Sequence, residues 1–311
     1  MSDITVFGYT DSQILDAIQE HGSYRKAAAA LGVNRRTIER RMSRIKNMEA
    51  GRDRARVLFL DIETAPIMAS VWRIWQENVG LEQIRQDWHL LSFCAKWMGE
   101  DHVYYDDQRK ASDISDDKPL LAQLHALLDE AHVVVAQNGD KFDLPKIRWR
   151  LLKAGFNPPK PFKTIDTLKI LKRNFGATSN KLAFVSDQLL SNRKEEHKEF
   201  PGFQLWSECL AGNKRAWEEM RTYNIVDVLA LEELYLKLRP WVPHHINVGI
   251  YTDHEEPTCS RCGSHNLQLV GTVPTNVNVY PLYECKDCHG HSRGRQTMVT
   301  TAARRNLLVA A

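Results

Sequence analysis

The chain is predicted to be an α/β protein, with one mixed sheet flanked by helices, a small all-α module before it and a small β module after it. Three observations predict this. Apolar runs of strand length alternate with amphipathic runs of helix length between residues 57 and 155. The stretch before residue 48 has helical periodicity and is rich in arginine. Two CxxC pairs punctuate the region after residue 255.

A length of 311 residues allows one substantial core plus small appended modules. Hydrophobic content of 43% and charged content of 26% are those of an ordinary soluble protein and argue against a disordered or membrane class. No run approaches the roughly 18 apolar residues of a membrane span. The opening "MSDITVFGYTD" lacks the basic-then-apolar pattern of a secretory signal. A cytoplasmic location is expected. Net charge is only +3, but it is unevenly placed. Between Ser23 and Lys46 there are eight Arg or Lys and a single acid, Glu39, and no acid follows Asp287. Basic ends around a neutral middle suggest a polyanionic partner.

In the first module Ile14, Leu15 and Ile18 mark a helix broken at Gly22. Ser23 is placed to cap a second helix from about Tyr24 to Leu31, and Asn34 a third. The third keeps Ile38, Met42 and Ile45 on one side and shows Arg35, Arg36, Arg40, Arg41 and Arg44 elsewhere. Two helices joined by a short glycine-containing turn, the second rich in arginine, resemble a helix-turn-helix. Residues 1–48 are therefore expected to bind DNA through those five arginines; an amphipathic bundle with no such role is the alternative. Residues 49–56, within a polar run, are expected to be a linker.

The core is expected to span 57–245. It opens on "VLFLDIETAP", where apolar residues on both alternating faces predict a strand covered on both sides. "LLSFCAKW" (90–97) and "HVYYDD" (102–107) follow as strands, "KPLLAQLHALLDEA" as a helix and "HVVVAQ" as a strand. "LPKIRWRLLKAG" is a helix closed by Gly155. Cys94 and Cys209 lie alone in apolar or amphipathic stretches and are expected to be buried thiols.

After residue 255 come "CSRC" and "CKDC", separated by 22 residues that hold two strand-like runs, "LQLVGTV" and "VYPLYEC". Paired CxxC motifs in a chain without a signal peptide point to metal ligation. Cys259, Cys262, Cys285 and Cys288 are the expected four-thiolate set for one structural Zn²⁺ on a zinc ribbon over 255–292. His265 and His289 lie near enough to compete, but four cysteines already fill a tetrahedron. A basic tail, 293–311, follows.

The acids of the core carry the chemistry. Asp61 and Glu63 lie two apart on one strand and leave by the same face. Strands also end in acids at exposed tips, so "DIE" alone is weak. In "QNGDKFD" Asp143 starts a helix, as a cap, a ligand or both, and Asn138 ends a strand where function concentrates in such sheets. In "YNIVD" Tyr223 and Asp227 are four apart and share a helix face. If all of these meet, four carboxylates repel unless cations sit among them. Oxygen donors suit two Mg²⁺ or Mn²⁺, the device for in-line displacement at phosphate.

"DIET", "NGDKFD" and "YNIVD", in that order and about eighty residues apart, resemble the three motifs of the DEDD exonuclease superfamily. The resemblance spans roughly 56–240. It implies a ribonuclease-H-like fold, 3′–5′ hydrolysis of nucleic acid, and Asp61, Glu63, Asp143 and Asp227 as ligands of two divalent ions. One branch carries histidine five residues before the last aspartate; Thr222 stands there, and Tyr223 places the chain in the tyrosine-type (DEDDy) branch. By that likeness Tyr223 orients the attacking water. "FKTIDTLKILKR", "SNKL", "GFQLW" and "YNIVDVLALEELYLKLRPW", followed by a zinc ribbon, resemble phage-type exonucleases, similar to the proofreading domain of family B DNA polymerases.

The implied function is metal-dependent digestion of single-stranded or frayed DNA, with a replicative polymerase as a candidate partner in trans. A DNA-binding regulator with a vestigial core and an RNA-trimming exonuclease are the alternatives. Asp166 is expected to cap "TLKILKR" or to touch the site. Lys181, His197 or Lys198 contact phosphate or are simply solvated. Trp72, Trp75 and Trp88 are read as core rather than base-stacking residues.

Overall fold

The computed structural model describes residues 11–39, 42, 55–75, 78–192, 199–252 and 256–309. Arg40, Arg41 and Arg44, most of the linker 49–56, and His197 and Lys198 lie outside the described residues. Contacts divide the chain into two compact units, residues 56–238 and residues 1–55 with 239–311. Among the described residues no helix is long and apolar enough to cross a membrane.

In the unit formed by the two ends, α1 (Asp11–His21) and α2 (Tyr24–Ala30) are followed by α3, described over residues 35–39. Ser23 caps α2 by accepting from the Lys26 N–H at 3.3 Å, and Asn34 caps α3 by accepting from Arg36 N–H at 2.9 Å. Ile14, Ala28 and Ile38 are buried together, with Ile18, Leu31 and Met42 against them. The apolar periodicity of the sequence is thus what closes this cluster. Arg35 is paired with Glu39 at 2.7 Å, and both Arg35 and Arg36 are exposed.

The central unit holds a five-stranded sheet in the order β5-β4-β1-β6-β7. Its strands are β1 (Val57–Thr64), β4 (Leu90–Trp97), β5 (Val103–Asp107), β6 (Val133–Ala136) and β7 (Lys163–Asp166); β2 (Met68–Ala69) and β3 (Ile84–Gln86) pair apart from it. β4 pairs antiparallel with both β1 and β5, while β6 pairs parallel with both β1 and β7. The crossovers that lead into the parallel strands β6 and β7 each carry a long helix, whereas the segment from β1 to antiparallel β4 carries only β2, β3 and a single helical turn. Those helices are α4 (Lys118–Glu130) and α5 (Asp143–Lys153).

Alternation along β1 sorts the two faces. Leu58, Leu60 and Ile62 pack with Leu120, Leu124 and Leu128 of α4 and with Leu144, Ile147 and Leu151 of α5. Phe59, Asp61 and Glu63 turn to the opposite face, where Phe59 meets the Tyr235 ring at 5.6 Å. Tyr235 belongs to α9 (Lys214–Leu238), whose buried residues Trp217, Met220, Asn224, Asp227, Leu231, Leu234 and Leu238 recur at three- and four-residue steps. One stripe of this long helix therefore lies on the sheet, and its middle carries an amide and an acid.

α6 (Thr167–Asn174) is the helix expected in "TLKILKR", with Asp166 as its N-cap. β7 and the two helices between α6 and α9, α7 (Leu182–Leu189) and α8 (Gln204–Leu210), were not foreseen as elements. β7 is short and half polar, so its alternation is weak, but it pairs with β6 from Val133↔Lys163 to Ala136↔Asp166. The expectation that Trp72 and Trp75 are core residues is corrected: they are 95% and 81% exposed. They lie on an irregular segment after β2, which offers no helix face to bury them. Cys94 and Cys209 are fully buried as expected, and burial pushes both thiols up, Cys209 to about 12.

A buried ion pair ties α4 and α5 to the sheet. Arg150 donates to both carboxylate oxygens of Asp117 at 2.7 Å, and Asp117 Oδ2 also accepts from Leu90 N–H at 2.9 Å. Asp117 is 2% exposed, so removing its partner strands a buried charge. Arg150→Ala is expected to destabilise the core by about 3–5 kcal/mol in urea unfolding. A loss below about 1 kcal/mol would show that the pair does not hold these elements.

Candidate active site and cysteine cluster

Glu63 sits just before a break in strand register: β1 pairs regularly with β4 through Glu63↔Ser92, and the register shifts between Glu63 and Thr64. Such a bulge re-aims the chain at the end of a strand. The acid pair is thereby left on the face covered by α9, at the edge of regular pairing.

Asp143 reaches the same place from the other side of β1. Phe142 occupies the N-cap position and Asp143 is the first residue of α5, so the side chain is not the cap that one reading of the sequence allowed. Its Oδ1 accepts from the Ile62 N–H at 3.2 Å instead. Burial pushes the Asp143 carboxyl up to about 7, opposed by that N–H and reinforced by nearby Asp166. Asp227 is 5% exposed on the sheet-facing stripe of α9, and Tyr223 is half-buried one turn before it.

These pieces meet. Asp61, Glu63, Asn138, Asp143, Tyr223 and Asp227 line one cavity of about 620 Å³. Phe142, Lys172 and Lys181 are also on its wall, which brings two cations to a site otherwise rich in acids. Lys181 had been named from sequence; Lys172, inside a helical run, gave no comparable signal. Asn138 has φ +64°, the left-handed region that asparagine tolerates. Its N–H donates to Asp166 Oδ1 at 3.0 Å, and that same oxygen accepts from Leu168 and Lys169 N–H groups. Asp166 is thus the cap of α6 and also fixes the Asn138 backbone.

Arg35 and Arg36 belong to the other unit. Among the described residues the carboxylates do not form a three-ligand group as tight as the cysteine cluster. The donor set is nonetheless all oxygen, anionic and partly buried, which fits Mg²⁺ or Mn²⁺. A second group of donors was missed from sequence. Asn224 is fully buried beside Asp61 and Glu63, and Trp206 Nε1 donates to Glu63 Oε2 at 3.2 Å. The asparagine was visible inside "YNIVD", and its three-residue spacing from Asp227 put it on the same face, but nothing local showed that Asp61 and Glu63 lie opposite it.

In the C-terminal region β8 (Leu267–Pro274), β9 (Val279–Cys285) and β10 (His291–Arg293) form a three-stranded sheet. The Sγ atoms of Cys259, Cys262, Cys285 and Cys288 all lie within 4.8 Å of one another. Cys259 and Cys288 are 3.6 Å apart and Cys262 and Cys285 3.5 Å. Four sulfurs about 2.3 Å from one tetrahedral zinc stand roughly 3.8 Å apart, whereas a disulfide needs about 2.05 Å. Hydrogen bonds among the crowded sulfurs hold Cys259 well below the usual thiol range and push Cys262 and Cys288 above it, so without a metal one thiolate is shared among protonated neighbours. The set can hold a metal such as zinc.

The raised Asp143 has a consequence for stability. Its folded value lies above the unfolded one, so its contribution is full below about pH 4 and is lost as pH rises through about 7. In protein freed of Mg²⁺ and Mn²⁺, Asp143→Asn is expected to gain about 2–4 kcal/mol over the parent at pH 8 and nothing at pH 4. Urea midpoints at the two pH values check this; an equal difference at both would contradict it.

A sequence model of the RNase_H superfamily matches residues 58–239. A search of curated proteins finds no match. Among solved structures, the family B DNA polymerase from the hyperthermophilic archaeon Pyrobaculum calidifontis is similar over 73% of this chain, at 13% identity and a TM-score of 0.39. The aligned part is 34% of that polymerase. The family match covers more than half of the chain and takes in the five-stranded sheet, but for Val57 at the start of β1, and all of α9. The chain belongs to the RNase_H superfamily.

Proposed function

We propose that the protein is a metal-dependent 3′–5′ exonuclease of the tyrosine type, acting on single-stranded or frayed 3′ ends of DNA. One observation carries the reading: Asp61, Glu63, Asp143, Tyr223 and Asp227, from β1, α5 and α9, line a single cavity. Acids gathered there have no structural economy, since burying them costs free energy that apolar residues would not. The gathering is accounted for by cations.

Asp61, Glu63, Asp143 and Asp227 would hold two Mg²⁺ or Mn²⁺. Bound there, the ions supply charge neutralisation and Lewis acidity for in-line displacement at phosphorus. The four carboxylates would share the two ions between them, leaving coordination positions for water and phosphate oxygens. Lys172 and Lys181 meet the phosphates of the strand by charge. Asn138, held by Asp166, offers its amide to the end of the strand. Tyr223 orients the attacking water by hydrogen bonding, since phenols titrate near pH 10 and are poor bases at neutral pH.

In this reading residues 57–245 are the nuclease domain. Residues 1–48 are a helix-turn-helix, with Arg35 and Arg36 and the further arginines of that segment toward DNA. Residues 255–292 are a zinc ribbon closed by one Zn²⁺, followed by the basic tail. Both flanking modules hold the substrate, and a replicative polymerase acting in trans is a fitting partner.

Strands labelled at the 5′ or the 3′ end test this directly. The full chain with Mn²⁺ is expected to release label from the 3′ end first, and Asp61→Ala to lower that rate by about 10²–10³-fold, as loss of one group that stabilises transition-state charge does. DNA retention by Asp61→Ala should be unchanged. Undiminished digestion by the variant, or release from the 5′ end, would overturn the assignment.

A further inference from the structure

We infer that Asn224, Ser92 and Trp206 form a neutral clamp that positions Asp61 and Glu63 for cations; this rests on the metal-holding role proposed for those two acids. Asn224 follows Tyr223 on α9 and is fully buried. Its Nδ2 lies 3.5 Å from Asp61 Oδ2 and 3.4 Å from Glu63 Oε1. Both contacts are long for N–H···O bonds, and the two amide hydrogens allow one to each acid. Ionised carboxylates only accept, so the NH₂ must face them and the amide oxygen must face away.

With the amide turned this way, its oxygen meets a hydroxyl that can donate to it. Ser92 Oγ donates to Asn224 Oδ1 at 2.6 Å, and Ser92 is itself fully buried. Ser92 is the cross-strand partner of Glu63, so the relay runs from β4 through α9 and back to β1. The other oxygen of Glu63 is held independently. Trp206 of α8 donates its Nε1–H to Glu63 Oε2 at 3.2 Å. The Trp206 ring also stands edge-on to Tyr223, with centroids 6.5 Å apart and planes at 77°.

The choice of donors is informative. A lysine or arginine between the acids would hold them as well, but it would cancel the charge that attracts a cation. An amide and an indole carry no charge. They fix the carboxylates and leave their negative potential intact. An ionised carboxylate has about four lone-pair sites, so a hydrogen bond to one of them does not by itself bar coordination at another. Asn224, Ser92 and Trp206 are therefore positioning residues, acting on the site through Asp61 and Glu63.

Calorimetric titration of the full chain with Mn²⁺ in the absence of nucleic acid tests the clamp without relying on turnover. The parent is expected to bind and Asp61→Ala to lose that binding. Trp206→Phe keeps the ring and removes the donor; its Mn²⁺ Kd should rise several-fold, and that of Asn224→Ala about tenfold or more, as for other residues behind metal ligands. Digestion by Trp206→Phe should recover toward the parent rate at saturating Mn²⁺. If the parent binds and Trp206→Phe binds equally tightly, the clamp is overturned while the active-site reading stands, even if the variant melts at a lower temperature. If the parent binds no Mn²⁺ that Asp61→Ala abolishes, the active-site reading falls and the clamp with it. Trp206 is on the site's margin, so the test survives a failure of Asn224→Ala to fold.

Discussion

Mutual repulsion among acids on the covered face of a sheet is the constraint around which this core is arranged. Asp61 and Glu63 point to the same side of β1 as Phe59, into the space that α9 covers. A carboxylate there loses water and gains a like-charged neighbour, and either effect alone disfavours it. Several features follow from making that tolerable. The Ile62 N–H is turned to Asp143, the Asn224 amide lies between the β1 acids, and two lysines stand on the cavity wall. Asp143, the most enclosed of the four acids, shows the remaining cost, chiefly of burial, as a carboxyl driven up to about 7.

The scaffold that bears this load is apolar and tightly filled on the other face. Leu58, Leu60 and Ile62 are buried against α4 and α5, and the Asp117–Arg150 pair locks the start of one helix to the middle of the other. α9 is held at both ends of its stripe. Trp217 and Met220 pack with Leu205 and Cys209 of α8, and Ala230, Leu234 and Leu238 pack with α6 and α7. The middle of the helix, where Tyr223, Asn224 and Asp227 lie, is thereby set over β1 by apolar contacts at both ends, together with the largely buried Lys96–Glu232 pair to β4. A site placed by rigid elements on either side needs little rearrangement to receive ions.

The parts of this arrangement visible in the sequence are those with strong periodicity or unusual chemistry. β1, β4, β6, α4 and α5 are long apolar or amphipathic runs, and four cysteines in two CxxC pairs leave few readings. The three acid motifs could be joined because each sits at a point where period and turn chemistry fix the face. β7 was hidden because only Ile165 and Asp166 of its four residues are buried. Trp72 and Trp75 misled because their three-residue spacing suggests a helix, whereas the chain there is irregular and both rings are exposed. Asn224, Ser92 and Trp206 were illegible for a different reason. Their role comes from three elements meeting at Glu63, and no local pattern records such a meeting.

Anomalous diffraction from crystals of the full chain soaked in Mn²⁺ tests the central claim most directly, because it asks where the charge of the cavity is answered. Two manganese peaks are expected within the cavity, in contact with Asp61 and sharing Glu63, Asp143 and Asp227, roughly 3.5–4 Å apart. A cavity without manganese, with ions only at outlying acids, would contradict the account.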